Sequence, residues 1–234
     1  MSGRPAGIGL EVGSLAAAAG FYGDRLGLAP AGAPRNGARR YRIGESLLVV
    51  RAPGGEPRGG LHVRLALAAP AGSLAAWRAR LAGLDPVEHE FGAVRSLYVF
   101  DPDRHCVEVA VPTDDGATPV PASVTGPFEV VLEVRDLAAA QRRYRALGYE
   151  VVDRGADRPR VRLAGPPGVD AALELWAPGT GLAGARGGVH VDLAFVVPDP
   201  AAAADAVEAV ERTPAEGGLR VRDPDGHALT FRPD

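Results

Sequence analysis

Two phrases recur in this chain in the same order. Asp101-Pro102-Asp103-Arg104-His105-Cys106-Val107-Glu108-Val109 returns as Asp223-Pro224-Asp225-Gly226-His227-Ala228-Leu229-Thr230-Phe231. Gly60-Leu61-His62-Val63-Arg64-Leu65-Ala66-Leu67 returns as Gly188-Val189-His190-Val191-Asp192-Leu193-Ala194-Phe195. The spacing between copies is nearly the same for both, which points to internal duplication. Each copy can then be read against the other.

Each half divides again. Four segments begin with a short strand and pass quickly into a helix. Ile8–Val12 leads to Ser14 as N-cap of a helix over Leu15–Leu26, and His62–Leu67 leads to Ser73 capping Leu74–Leu81. Val130–Val134 leads to Asp136 capping Leu137–Leu147, and Val189–Val197 leads to Asp199-Pro200 opening Ala201–Val210. Ser and Asp are favoured N-caps, and Pro is favoured at the first helical position. Short strands broken by Gly, Pro and Asp follow each helix, including Arg40–Ile43, Ser46–Val50, Ser96–Phe100, Val161–Leu163 and Ala171–Trp176. The unit therefore reads strand–helix–three strands. It holds too little core to stand alone, so units should pair.

Thr113–Thr125 is rich in Asp, Gly, Pro and Thr, and reads as a linker. The expected organisation is a domain over 1–113, with modules at about 6–55 and 60–113. A linker over 114–125 precedes a second domain over 126–234, with modules at about 126–178 and 186–234. The fold class is α+β: four βαβββ modules paired into two tandem domains, with curled mixed sheets enclosing a cleft.

Composition removes several chemistries. The 26 basic residues are all arginine, so Schiff-base catalysis and a phosphate-loop lysine are impossible. One cysteine, Cys106, excludes an internal disulfide and a thiolate-rich metal site. A net charge of −3 without a basic block argues against nucleic acid as a partner. No apolar run is long enough to span a bilayer, and Met1–Gly9 lacks signal-peptide character. A cytoplasmic protein acting on a small molecule is expected, with no membrane partner, no nucleotide cofactor and a homodimer left open.

Phe21-Tyr22-Gly23-Asp24-Arg25-Leu26-Gly27-Leu28 and the two Asp-Pro-Asp phrases identify a family resemblance. Over nearly its whole length the chain resembles the vicinal oxygen chelate superfamily, which includes glyoxalase I, bleomycin-resistance proteins and extradiol dioxygenases. The resemblance implies a divalent metal in each cleft, held by one residue from the first strand and one from the last strand of each module. The implied positions are Gly7, Val49, His62 and Glu108 in the first half, and Glu129, Glu174, His190 and Thr230 in the second. Strict alternation puts His62, Arg64 and Ala66 on one face of their strand, with His190 and Asp192 on the matching face of theirs.

The metal site is therefore expected at Glu129, Glu174 and His190, with His62 and Glu108 as a partial second site. Candidate ions are Fe, Mn, Zn or Ni. Crowded carboxylates at Glu129, Glu174 and Asp192 would repel one another unless a cation relieved them. Arg64, Trp176, Asp192 and Thr230 are the candidate substrate-binding residues. His105 and His227 are expected in solvent-facing turns, Cys106 as a small packing residue, and Tyr22 and Tyr144 in the core.

Neither half carries a complete ligand set. The leading expectation is a metal-dependent lyase, isomerase or oxygenase acting on adjacent oxygens. The alternative is a metal-free protein that binds a drug or natural product.

Overall fold

The computed structural model describes residues 4–54, 61–114, 116–166, 171–179 and 191–234, without the side chains of residues 4–6 and 61. The four modules are present, but the first has two strands after its helix rather than three, with an isolated bridge between Pro30 and Tyr41 beside them. The first contains β1 (Arg4–Glu11), α1 (Leu15–Ala18) continued by a π-helical turn over Ala19–Arg25, β2 (Ala38–Ile43) and β3 (Ser46–Arg51). The second contains β4 (Leu61–Ala68), α2 (Leu74–Leu81), β5 (Val87–Phe91), β6 (Val94–Phe100) and β7 (Cys106–Pro112). The third contains β8 (Gly126–Glu133), α3 (Leu137–Ala146), β9 (Glu150–Arg154), β10 (Arg160–Ala164) and β11 (Ala172–Trp176). The fourth contains β12 (Val191–Val197), α4 (Pro200–Ala206), β13 (Glu211–Ala215), β14 (Gly218–Arg222) and β15 (Ala228–Pro233). None of these helices is long and apolar enough to cross a membrane.

The caps follow the sequence at three helices. Ser14 accepts from the Ala17 amide, Asp136 from Ala139, and Asp199 from Ala201 and Ala202. Ser73 departs from the expected role. It sits in a helical conformation and its hydroxyl donates to the Pro70 carbonyl at 2.6 Å instead.

Module pairing also departs from the expectation. The fourth module joins the first in a seven-stranded sheet of order β13-β14-β15-β12-β1-β3-β2. The second joins the third in an eight-stranded sheet of order β5-β6-β7-β4-β8-β11-β10-β9. Each sheet is built around an antiparallel pair of first strands, β1 with β12 and β4 with β8. The linker explains the second pairing: Thr125 donates to the Ala68 carbonyl at 2.8 Å, delivering β8 beside β4. It is packed rather than free, because Ala122 is buried and the Thr118 carbonyl lies against Gly72. Gly72 holds φ +80°, and a β-carbon there would stand 2.3 Å from that oxygen. One continuous core joins the two sheets and includes Trp77, Tyr22, Tyr144, Phe195 and Phe231.

The repeated Asp-Pro-Asp-x-His phrase is a clasp. Asp101 accepts from the Tyr22 hydroxyl at 2.9 Å and from the amides of Asp103 and His105 at 2.9 and 2.7 Å. Asp103 accepts from the Gly13 amide, and His105 Nε2 lies 3.2 Å from the Glu11 carbonyl oxygen. The second copy repeats each contact: Asp223 with Tyr144, Asp225 with the Arg135 amide, and His227 Nε2 with the Glu133 carbonyl at 2.9 Å. His105 and His227 are therefore buried and not solvent-facing. The clasp ties each even-numbered module to the odd-numbered module before it, while the sheets tie the modules in the other combination.

Candidate functional site

The site lies on the face of the eight-stranded sheet that lines its cavity and is built in two adjacent rows. Glu108 on β7, Ala66 on β4 and Glu129 on β8 are cross-strand neighbours. In the next row Arg64 opposes Val131, and Val131 opposes Glu174 on β11. Small Ala66 leaves room between the glutamates, and Arg64 fills it.

Arg64 Nε stands 2.7 Å from Glu108 Oε2, a charge contact off the hydrogen-bond axis. Its Nη2 lies 2.7 Å from Glu129 Oε1 and 3.4 Å from Glu174 Oε2. The remaining carboxylate oxygens are also engaged. Ser96 donates to Glu108 Oε1 at 2.6 Å, Arg162 to Glu129 Oε2 at 2.6 Å, and Arg160 to Glu174 Oε1 at 2.7 Å. All three glutamates are buried. Burial works against the Arg64 charge, but Glu108, Glu129 and Glu174 outweigh it and hold the guanidinium above its ordinary range. Burial first, and then the Glu129 charge, push the Glu174 carboxyl upward against the pull of the Trp176 indole N–H, Arg64 and Arg160.

Above this network opens a cavity of about 550 Å³. Tyr98, Trp176, Phe91, Phe128 and His89 supply its aromatic lining. The Arg64 guanidinium lies 5.8 Å from the Tyr98 ring and 5.6 Å from the Trp176 ring, and that of Arg158 lies 4.9 Å from Trp176. The Tyr98 hydroxyl and Trp176 Nε1 are buried without a well-aligned hydrogen-bond partner among the described residues.

Four of the sequence-derived candidates thus converge in one place with Arg64: Glu108, Glu129, Glu174 and Trp176. They converge across the expected domain boundary, because the second and third modules share this sheet. His62 does not join them. A bulge between His62 and Arg64 shifts the register of β4 and brings His62 opposite Leu132, on the core side. A one-residue slip flips a side chain to the other face. His62 stacks there on His105, with Nε2 2.9 Å from His105 Nδ1. His190 lies outside the described residues.

Asp192 and Thr230, expected to bind substrate, sit on the other sheet. Asp192 pairs with Arg51 at 2.8 Å and Arg220 at 3.0 Å, and accepts from Thr230 at 2.8 Å. These groups satisfy one another. The residues missed from the sequence are Arg160, Arg162, Ser96 and Tyr98. Their signal was alternation: Arg158-Pro159-Arg160-Val161-Arg162 and Ser96-Leu97-Tyr98 each place their polar members on one strand face.

A divalent metal does not fit this donor set. Each of the three glutamates is already paired with a guanidinium of Arg64, Arg160 or Arg162, and Arg160 is shared with Asp153 at 2.8 Å. The first-strand position beside them carries a guanidinium, which cannot lose its proton to become a ligand. Among the described residues, no group of three or more His, Cys, Asp or Glu side chains is arranged to hold a metal ion.

Cys106 opens β7 below Arg64 and is buried. Burial, supported by Glu108 and opposed by Arg64, pushes its thiol up to about 11. The native protein should therefore resist a thiol-reactive disulfide reagent at pH 8 and react only once unfolded. Prompt labelling of the folded chain would contradict this placement.

Three βαβββ units and a first unit with two strands after its helix, paired around antiparallel first strands into two curled sheets, define the vicinal oxygen chelate fold. Solved structures agree. A "putative dioxygenase" from Bacillus subtilis superposes with a TM-score of 0.72 at 18% identity, covering 99% of this chain and 85% of that one. Glyoxalase I from Zea mays superposes at 0.65 with 17% identity, covering 98% and 92%. The cppA protein from Streptococcus pneumoniae superposes at 0.54 with 13% identity, covering 99% and 97%. No protein-family model and no curated protein sequence matches the chain. At these identities the likeness establishes the fold, and one fold hosts many chemistries.

Proposed function

We propose that this protein binds a small, largely aromatic organic molecule in the cavity of the eight-stranded sheet, without a divalent metal. The observation that carries the reading is the Arg64 guanidinium standing where three glutamates meet. A substrate with adjacent oxygens would find no exchangeable ion to chelate there. It would find instead an aromatic wall and the Arg158 guanidinium, which has no ion pair among the described residues. About 550 Å³ suits a drug-sized ligand. This is the role of a drug- or natural-product-binding protein rather than of a metal-dependent lyase, isomerase or oxygenase.

A panel of oxygen-bearing aromatic compounds, screened by thermal shift in the presence of EDTA, tests the reading. Hits should raise Tm and quench tryptophan emission, and Trp176→Phe should abolish the quenching. Hits that vanish in EDTA and return with added metal would overturn it.

A further inference from the structure

In both sheets a charged side chain near the first-strand position of the cleft is paired by opposite charges among the described residues. In the eight-stranded sheet Arg64 stands among Glu108, Glu129 and Glu174 at 2.7, 2.7 and 3.4 Å. In the seven-stranded sheet the first strand β12 carries Asp192, which is held between Arg51 and Arg220 at 2.8 and 3.0 Å. The last-strand partner of Asp192 is Thr230, in the position Glu108 takes beside Arg64.

We propose that Arg64 is a built-in substitute for a divalent cation: its positive charge stands where the three glutamates meet and occupies the place an ion would take. The surroundings support this. Each glutamate already has a donor other than Arg64, namely Ser96, Arg162 and Arg160. Taking Arg64 away therefore leaves an oriented cluster whose carboxylates outnumber its guanidiniums. An imidazole at position 64 would supply the nitrogen donor that a mixed carboxylate–histidine site uses. The carboxylates would draw in from their 2.7–3.4 Å contacts with guanidinium to the ion–oxygen distance of about 2.0–2.2 Å. The inference rests on the metal-free reading above, but it concerns the cation alone and is tested without any organic ligand.

Arg64→His should bind one Zn²⁺ or Ni²⁺ per chain by calorimetry, at least about 100-fold more tightly than the wild type. Glu174→Ala in that background should remove the gain. A folded Arg64→His protein that binds metal no better than the wild type overturns the proposal, as does stoichiometric binding by the wild type itself. A second comparison covers the case in which Arg64→His does not fold. Glu108→Gln should lower Tm in the wild type, where it removes an ion pair. It should raise Tm in an Arg64→Met background, where it relieves an uncompensated buried charge. The same sign in both backgrounds would show that Arg64 is not the counter-ion of this cluster. Failure of the aromatic screen alongside success here would sink the ligand reading and leave the cation substitution standing.

Discussion

Replacing Arg64 with methionine is expected to be among the most damaging single changes in the protein. Methionine keeps much of the volume over Ala66 and the contact with Trp176, so loss of packing is small. What it removes is the charge shared by Glu108, Glu129 and Glu174, all buried. Breaking a buried ion pair from one side costs about 3–5 kcal/mol, because the abandoned charge stays desolvated. For a chain of this size that is a fall in Tm of about 6–20 °C. The loss should be greatest at neutral pH and shrink toward pH 4, as the glutamates become protonated. A variant melting within 2 °C or so of the wild type at pH 7, a shift worth less than about 1 kcal/mol, would mean that the network contributes little.

The second large effect is expected at the clasp. Asp101 accepts three hydrogen bonds at 2.7–2.9 Å, from Tyr22, Asp103 and His105. Asp101→Ala strands three donors in a buried site, at about 1–3 kcal/mol each, so a loss of at least about 3 kcal/mol is expected by denaturant unfolding. Asp101→Asn should cost less, because its Oδ1 keeps the two amide hydrogen bonds and only the Tyr22 hydroxyl loses its acceptor. Burial lifts the Asp101 carboxyl above its ordinary range, against the pull of His105, so the charge is not what the site needs. A raised carboxyl favours the folded state at low pH, and that contribution is lost as pH rises through the carboxyl's shifted range. The acceptor geometry is the contribution that remains at neutral pH. Equal losses for alanine and asparagine would contradict this account. Asp223 faces Tyr144, Asp225 and His227 in the same way and should rank its two variants in the same order.

Much of this was legible in the chain. The repeated phrases, the caps at Ser14, Asp136 and Asp199, and the alternation along β8 and β11 set the four modules and brought Glu129, Glu174 and Trp176 to one cleft. The pairing of modules was not legible. First strands satisfy the same backbone hydrogen bonds whichever partner they take, and the composition of Thr113–Thr125 does not reveal that it packs against Gly72. His62 was misplaced for a local reason. Alternation assumes an unbroken ladder, and the bulge at Val63 turns His62 toward His105 while Val63 joins Val131 and Trp176. The meaning of Arg64 was hidden by the same slip, since it became visible only once it, rather than His62, proved to occupy the first-strand position among the glutamates. The crowding of carboxylates did announce the need for a cation. It could not say that the cation is part of the chain.

The most direct test of the central claim is the metal content of the wild-type protein, expressed in medium supplemented with Mn, Fe, Ni and Zn. With Arg64 in place, the protein should carry well under one ion per chain by elemental analysis, with no change in Tm with EDTA. One equivalent of a divalent metal, lost on Glu174→Ala, would contradict it.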